Sequence, residues 1–146
     1  MPGIPSRMVS PDYGFPELHK IRVTNSTLST IERGTIVFVD GAVASGDDTG
    51  LTVAPADGTA TTDADTVQGL LLVMLTMAKA GQEGLAGLYA VVAADTTGLS
   101  AGDPLYLKDG ATGEFSNAAG STSGRLVGHV LAAGQVLLCP ALLRGV

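Results

Sequence analysis

The chain has 146 residues, enough for one domain, with 45% hydrophobic and 15% charged residues, 20 Gly, no Trp and one Cys. A glycine share well above the usual value of about 7% favours a turn-rich β chain whose core is Val, Leu, Ile and Ala. Net charge is −6, with Asp40, Asp47, Asp48, Asp57, Asp63 and Asp65 but no Lys or Arg between Arg33 and Lys79, so no basic stripe displaces counterions and nucleic-acid binding is not expected.

In chain order, residues 1–20 read as an extended arm. Pro2, Pro5, Pro11 and Pro16 forbid a regular helix and would interrupt a central strand. Ile4, Met8, Val9, Tyr13 and Phe15 are more apolar than a purely solvated tail, which favours an arm that orders on a neighbour over a loose terminus. Residues 21–146 read as one β-rich domain. Ile21 and Val23 begin an alternation, with Leu28 and Ile31 as further short-strand candidates around Thr24–Thr27. Thr35–Val39 reads as a strand ended by a turn at Asp40-Gly41. Leu51–Ala54 is the next strand, closed by Pro55 and Asp57-Gly58, and Thr59–Asp65 is a small polar loop.

Val67–Met77 is an apolar run that bends at Gly69 and reads as a buried strand. A helix over Leu70–Ala80 competes, but Gly81 and Gly84 would cut it short, which favours a strand and a turn at Ala80–Gly84. Leu85–Ala93 reads as one strand, and Asp95–Gly102 as a link. The last third is a cassette. Ala101–Gly110 enters a strand through a Gly-Asp turn, a polar loop follows, Gly124–Leu131 is a strand broken by Gly128, and Val136–Cys139 closes. Gly34–Gly41 and Gly102–Gly110 echo each other, each followed by a polar loop and a Gly-centred apolar strand, Val67–Leu71 and Leu126–Val130. That pattern predicts two similar β-units, each needing the other to cover an apolar face, with chance likeness of two short words as the alternative.

Chemistry is sparse. His19 and His129 lack ligand-like partners nearby in sequence, and no HExxH, CxxC, EF-hand, phosphate-loop or dinucleotide pattern occurs. Gly120–Gly124 has Thr122 where a nucleophile elbow needs Ser, and reads as a hairpin tip. Asp47, Asp48, Asp63 and Asp65 lack the Gly-punctuated spacing of a calcium loop and read as solvated loops. Cys139 is expected to be a buried, inert thiol. Neither a metal nor a cofactor is expected, and the chain is not expected to be an enzyme. No apolar run reaches the roughly 18 residues of a membrane span, and the N-terminus lacks a secretory layout, so a soluble product of a cytoplasm is expected. Low charge and positive hydropathy point to surface covered by an oligomer or a docked partner. Tyr89 and Tyr106 read as core or interface strand residues with their hydroxyls at a polar edge. His129 reads as a partly exposed strand residue or as a contact to a neighbouring subunit. The fold class expected is mainly β: a small barrel or sandwich with an extended N-terminal arm.

The order Ala101-Gly-Asp-Pro-Leu-Tyr-Leu107, Leu126-Val-Gly-His-Val-Leu131 and Val136-Leu-Leu138 resembles the small capsid decoration (cement) proteins of tailed bacteriophages. In these the region runs Gly-Asp-(Pro/Ala)-Val-Tyr-Trp, a variable loop, Ile-Gly-Val-Ala and a Val-rich strand. The resemblance covers residues 30–143 and rests on strand words. It implies a virion protein on the outer surface of the head, added as homotrimers that reinforce the major capsid protein. Arm residues Ile4, Pro5, Met8, Val9, Tyr13 and Phe15 would then contact the capsid, and Tyr89, Tyr106 and His129 would be subunit-interface candidates. The chain departs from the pattern in about 20 to 30 extra N-terminal residues, counted to where alternation starts. It also carries Leu107 where the family often has Trp. A tail- or fibre-associated β-module binding a host surface ligand is the alternative, though it would normally show more exposed aromatic residues.

Overall fold

A computed structural model of the chain describes residues 20–45, 48–59 and 69–143. The residues 1–19, and with them every predicted capsid-contact residue of the arm, lie outside the described residues. Five strands close into a barrel: β1 (Lys20–Asn25), β2 (Ile36–Ser45), β3 (Asp48–Pro55), β4 (Leu71–Met74) and β5 (Glu83–Gly87). Around the barrel the order is β1-β3-β2-β4-β5, with β5 antiparallel to β1 and only β1–β3 parallel. Five more strands form an open sheet: β6 (Ala90–Ala93), β7 (Pro104–Leu107), β8 (Phe115–Ser116), β9 (Leu126–Ala132) and β10 (Gln135–Leu138). Their order is β6-β10-β9-β7-β8. The mainly-β expectation holds, and the barrel-or-sandwich question resolves as a closed barrel with a second, open sheet beside it.

Strand alternation explains how the two sheets share a core. In β4 all four residues are buried. Leu72 and Met74 join Val23, Val37, Val53 and Ala86 inside the barrel. Leu71 and Val73 face the other way and pack, with Ile36, against Leu105, Leu107, Val127, Val130, Val136 and Leu138 of the open sheet. A strand buried on both faces reads as a continuous apolar run. This is why the Val67–Met77 run looked ambiguous between helix and strand; it is a strand over Leu71–Met74, and Leu75–Met77 lie outside it.

The two sheets have the same plan. Matching β1–β5 to β6–β10 in order, the antiparallel pairs β2–β4, β4–β5, β1–β5 and β2–β3 recur as β7–β9, β9–β10, β6–β10 and β7–β8. The strand entries agree bond for bond. Gly34 (φ 86°) donates its N–H to the Met74 carbonyl at 2.8 Å, and Gly102 (φ 91°) to that of Val130 at 2.7 Å. The next residues accept in turn, Thr35 from the Met74 amide and Asp103 from the Val130 amide, both at 2.9 Å. The left-handed φ explains why glycine opens both words. The echo of Gly34–Gly41 in Gly102–Gly110 is therefore a repeated topology, but the strand that matches Leu126–Val130 is β4, with Met74 accepting from Gly34 as Val130 accepts from Gly102, rather than the Gly69-centred Val67–Leu71. The repeats part at one place: β1 and β3 pair and close the barrel, whereas β6 and the two-residue β8 do not meet.

Several local expectations are corrected. Asp40-Gly41 is not a turn, because β2 runs through it to Ser45 with a bulge at Asp40 between the pairs Val39↔Val53 and Gly41↔Thr52. The bulge aims the Asp40 carboxylate at the hydroxyls of Ser26 and Thr52, each donating at 2.5 Å. Leu85–Ala93 is two strands, since the chain leaves the barrel after Gly87 and enters the open sheet at Ala90. Glu83 and Gly84 belong to β5 rather than to the preceding turn. Gly128 does not break β9. A Cβ there would stand 2.1 Å from the Leu137 carbonyl oxygen, so glycine lets β10 lie close. The polar loop holds β8 and a 3-10 turn at Ala118–Gly120. Ile31 makes only an isolated bridge with Ala78, and Leu28 is 98% exposed on a loop. The fully buried Asn25 staples that loop. Its Nδ2 donates to the Ser29 and Ala78 carbonyls at 2.7 and 2.9 Å, and its Oδ1 accepts from the Thr27 amide at 2.8 Å.

Candidate docking surface

The concave face of the open sheet is spent on the shared core, which leaves its outer face to account for. Alternation assigns residues to that face. In β6, Ala90 and Val92 are buried while Val91 and Ala93 are exposed. In β7, Leu105 and Leu107 are buried while Pro104 is exposed and Tyr106 half-buried. Cross-strand register then lines up Val91, Leu137, His129 and Pro104 as one row, since Leu137 pairs both Val91 and His129, and His129 pairs Pro104. Tyr106 lies two residues along β7 from Pro104, opposite Leu126 on β9. Leu131, the extra residue where the β9–β10 register shifts, is 44% exposed, and Val91 is 48% exposed.

None of the five strands of this sheet carries a charged residue. The barrel strands do, with Lys20, Arg22, Asp40, Asp48 and Glu83. In a chain of net charge −6 the outer face of the open sheet is thus neutral and mostly apolar. Exposed apolar surface of this kind, gathered in one patch rather than scattered, marks an interaction site.

Of the three residues predicted for subunit contacts, Tyr106 and His129 fall on this face. Tyr89 sits at the crossing between β5 and β6, two residues before Val91, and is 36% exposed. The sequence reading missed Val91, Leu137 and Leu131. Their signal was present: β6 and the Val136–Leu138 stretch of β10 are apolar in both phases of the alternation, the mark of a strand covered on both faces.

Chemistry elsewhere is thin. Among the described residues no three His, Cys, Asp or Glu stand close enough to hold a metal ion. Asp47, Asp63 and Asp65 lie outside the described residues, and Asp48 belongs to β3. Cys139 is buried, and burial raises its thiol pKa, which disfavours the nucleophilic thiolate. A cleft of about 430 Å³ between Glu32–Thr35 and Gly113–Phe115 has the exposed Lys108–Glu114 ion pair (3.1 Å) on its wall and contains no nucleophile beside a base. A second, of about 420 Å³, runs between the Asn25-stapled loop and Phe38, Pro55 and Asp57. There the Asp57 carboxylate accepts from the amides of Thr59 (2.8 Å) and Gly110 (2.9 Å), tying the end of β3 to the loop after β7. These bonds are made within the fold, so the carboxylate serves structure. No helix among the described residues is long and apolar enough to cross a membrane. No family model, curated protein or solved structure matches the chain.

Proposed function

We propose that this chain is a structural assembly protein that decorates the outside of a bacteriophage head. Its copies associate as homotrimers through the neutral outer face of the open sheet, and its N-terminal arm binds the major capsid protein. It performs no catalysis of its own in this reading. The observation that carries it is the charge-free outer face, with Val91, Leu137, Pro104, Tyr106 and His129 in register across four strands. Burying such a face stabilises an assembly by about 25 cal/mol for each Å² removed from water. The likeness of the Ala101–Leu138 strand words to decoration proteins supplies the partner. A capsid role also suits a chain whose described residues gather no catalytic constellation.

The test is the copy number of this chain relative to the major capsid protein in gradient-purified particles, measured by quantitative mass spectrometry. A ratio near one-to-one is expected. A handful of copies per particle would favour a tail- or fibre-associated module, and complete absence would end the virion reading.

A further inference from the structure

A closed barrel leaves no strand edge, and the open sheet has two, β6 and β8. β8 is blunted by its length of two residues. β6 has four and none of the usual protections, since Ala90-Val-Val-Ala93 holds no charge, no proline and no bulge. Its phase follows from one bond. The Ala94 amide donates to the Gly134 carbonyl at 3.0 Å, and β6 pairs β10 in unbroken antiparallel register from there to Ala90. Antiparallel ladders bond at alternate residues. Ala90, Val92 and Ala94 therefore bond toward β10, and the N–H and C=O groups of Val91 and Ala93 point to the open side. Among the described residues no backbone bond takes them up. The side chains of Val91 and Ala93 are exposed as well.

We infer that this edge pairs with β6 of a second copy of the chain, antiparallel and about a two-fold axis centred on Val92. The placement of the outward groups singles out that occupant. Val91 and Ala93 lie symmetrically about Val92, each with a donor and an acceptor, so the edge is complementary to itself. Val91 exchanges both its bonds with the second copy's Ala93, and Ala93 with the second copy's Val91, which takes up every outward N–H and C=O. A register centred on Val91 would instead set Ala93 against Tyr89, and one centred on Ala93 would set Val91 against Asp95, both beyond the ends of β6. A one-residue slip would turn an outer face against an inner one. In the Val92 register like faces meet: exposed Val91 stands across from exposed Ala93, and the neutral outer faces of the two sheets become continuous. Just past the ladder, the exposed Asp95 of each copy lies across from Tyr89 of the other. No two charges therefore meet along the contact, although the chain carries a net −6. The contact uses a backbone edge and does not depend on the trimer contact through the outer face proposed above.

The test is an isotope-filtered NOE measurement by NMR on an equal mixture of labelled and unlabelled full chain. A strand residue whose amide points to one side turns its Cα–H to the other, so the Val92 Hα faces the open edge and meets the Val92 Hα of the second copy. An intermolecular Hα–Hα cross-peak at Val92 is expected. The Val91 and Ala93 amides should also exchange about tenfold or more slower as protein concentration rises through the pairing. Ala93→Pro removes an outward N–H and leaves the bonds to β10 in place, at a position where edge strands accept proline. It should abolish the cross-peak and release Val91, while Val92 and Val136 stay protected and so show that the sheet is intact. Absence of the Val92 cross-peak in the unaltered chain would overturn the inference, as would a cross-peak that survives Ala93→Pro. Protection of Val91 and Ala93 that is the same at every concentration would overturn it too, and would assign the edge to a segment of the same chain. Intermolecular contacts confined to Leu137, His129 and Tyr106 would overturn it while leaving the assembly through the outer face standing.

Discussion

At Gly128 the neighbouring strand leaves no room for a side chain, since an added Cβ would meet the Leu137 carbonyl oxygen at 2.1 Å. Gly128→Ala must push β9 from β10 and is expected to cost about 3 kcal/mol or more in chemical denaturation. Gly50→Ala, where a Cβ meets nothing within 4 Å, is expected to be neutral or slightly stabilising. Asn25 is the polar counterpart. Asn25→Ala leaves the Thr27 amide without its acceptor and takes one of two donors from the Ser29 and Ala78 carbonyls, which keep the Thr27 hydroxyl and the Ile31 amide, and is expected to cost about 1–3 kcal/mol. Leu28→Ser, at the exposed tip of the same loop, should leave stability within about 0.5 kcal/mol. Asp57 contributes a pH dependence. Its pKa lies below the ordinary 3.8, chiefly because the Thr59 amide favours the carboxylate; burial opposes this, and the Thr59 hydroxyl and the Gly110 amide lower it further. A folded pKa below the unfolded one gives stability that is present above about pH 4 and lost as pH falls through the folded value. Denaturation midpoints should therefore fall in that acid window, and Asp57→Asn should flatten the fall while removing part of the stability at neutral pH.

β4 divides its side chains between two cores, so substitutions along it should report on different parts of the molecule. Leu72→Ala opens a cavity inside the barrel and Val73→Ala one between barrel and open sheet. Leu72→Ala is expected to cost about 2–5 kcal/mol, and Val73→Ala less because fewer atoms are lost. Hydrogen exchange should show the first loss centred on β1–β5 and the second on β7, β9 and β10. The strands themselves were legible from composition and punctuation: Thr35–Val39, Leu51–Ala54, Gly124–Leu131 and Val136–Cys139 all fall in or overlap observed strands. Their ends were not. Asp40-Gly41 is a turn word, but the long hairpin with β3 carries the chain through it, because pairing down to Ser45↔Asp48 outweighs the local preference. Leu85–Ala93 has no Pro, Asn or Asp, and Gly87, where β5 ends, is the one local mark that the chain changes sheets before Tyr89.

At the scale of the molecule, a duplicated plan produces one closed and one open unit, and the open one rests its concave face on the barrel wall. The outer face that remains is where assembly is expected to respond. Val91→Glu with Leu131→Glu places charge on exposed positions, so stability should change by no more than about 0.5 kcal/mol per site. Light scattering should nevertheless show a smaller particle than the unaltered chain at equal concentration. An unaltered chain that is already monomeric would remove the homotrimer from the proposal.

The residues alone point to the all-β class, the Val/Leu/Ile core and the glycine-opened strand words, while the repeat that joins Gly34–Gly41 to Gly102–Gly110 stood open against chance likeness until strand pairing decided it. The first three are local matters, written in alternation, φ preference and turn chemistry over a few neighbours. Tyr106 and His129 could be named from their strands, but not placed on one face beside Val91 and Leu137. That placement depends on cross-strand register between segments tens of residues apart. Barrel closure depends on the same long-range pairing. β1 finds β3 as its second neighbour, whereas β6 has only β10 beside it among the described residues and the two-residue β8 does not reach it; the length of a strand is fixed by what lies beside it.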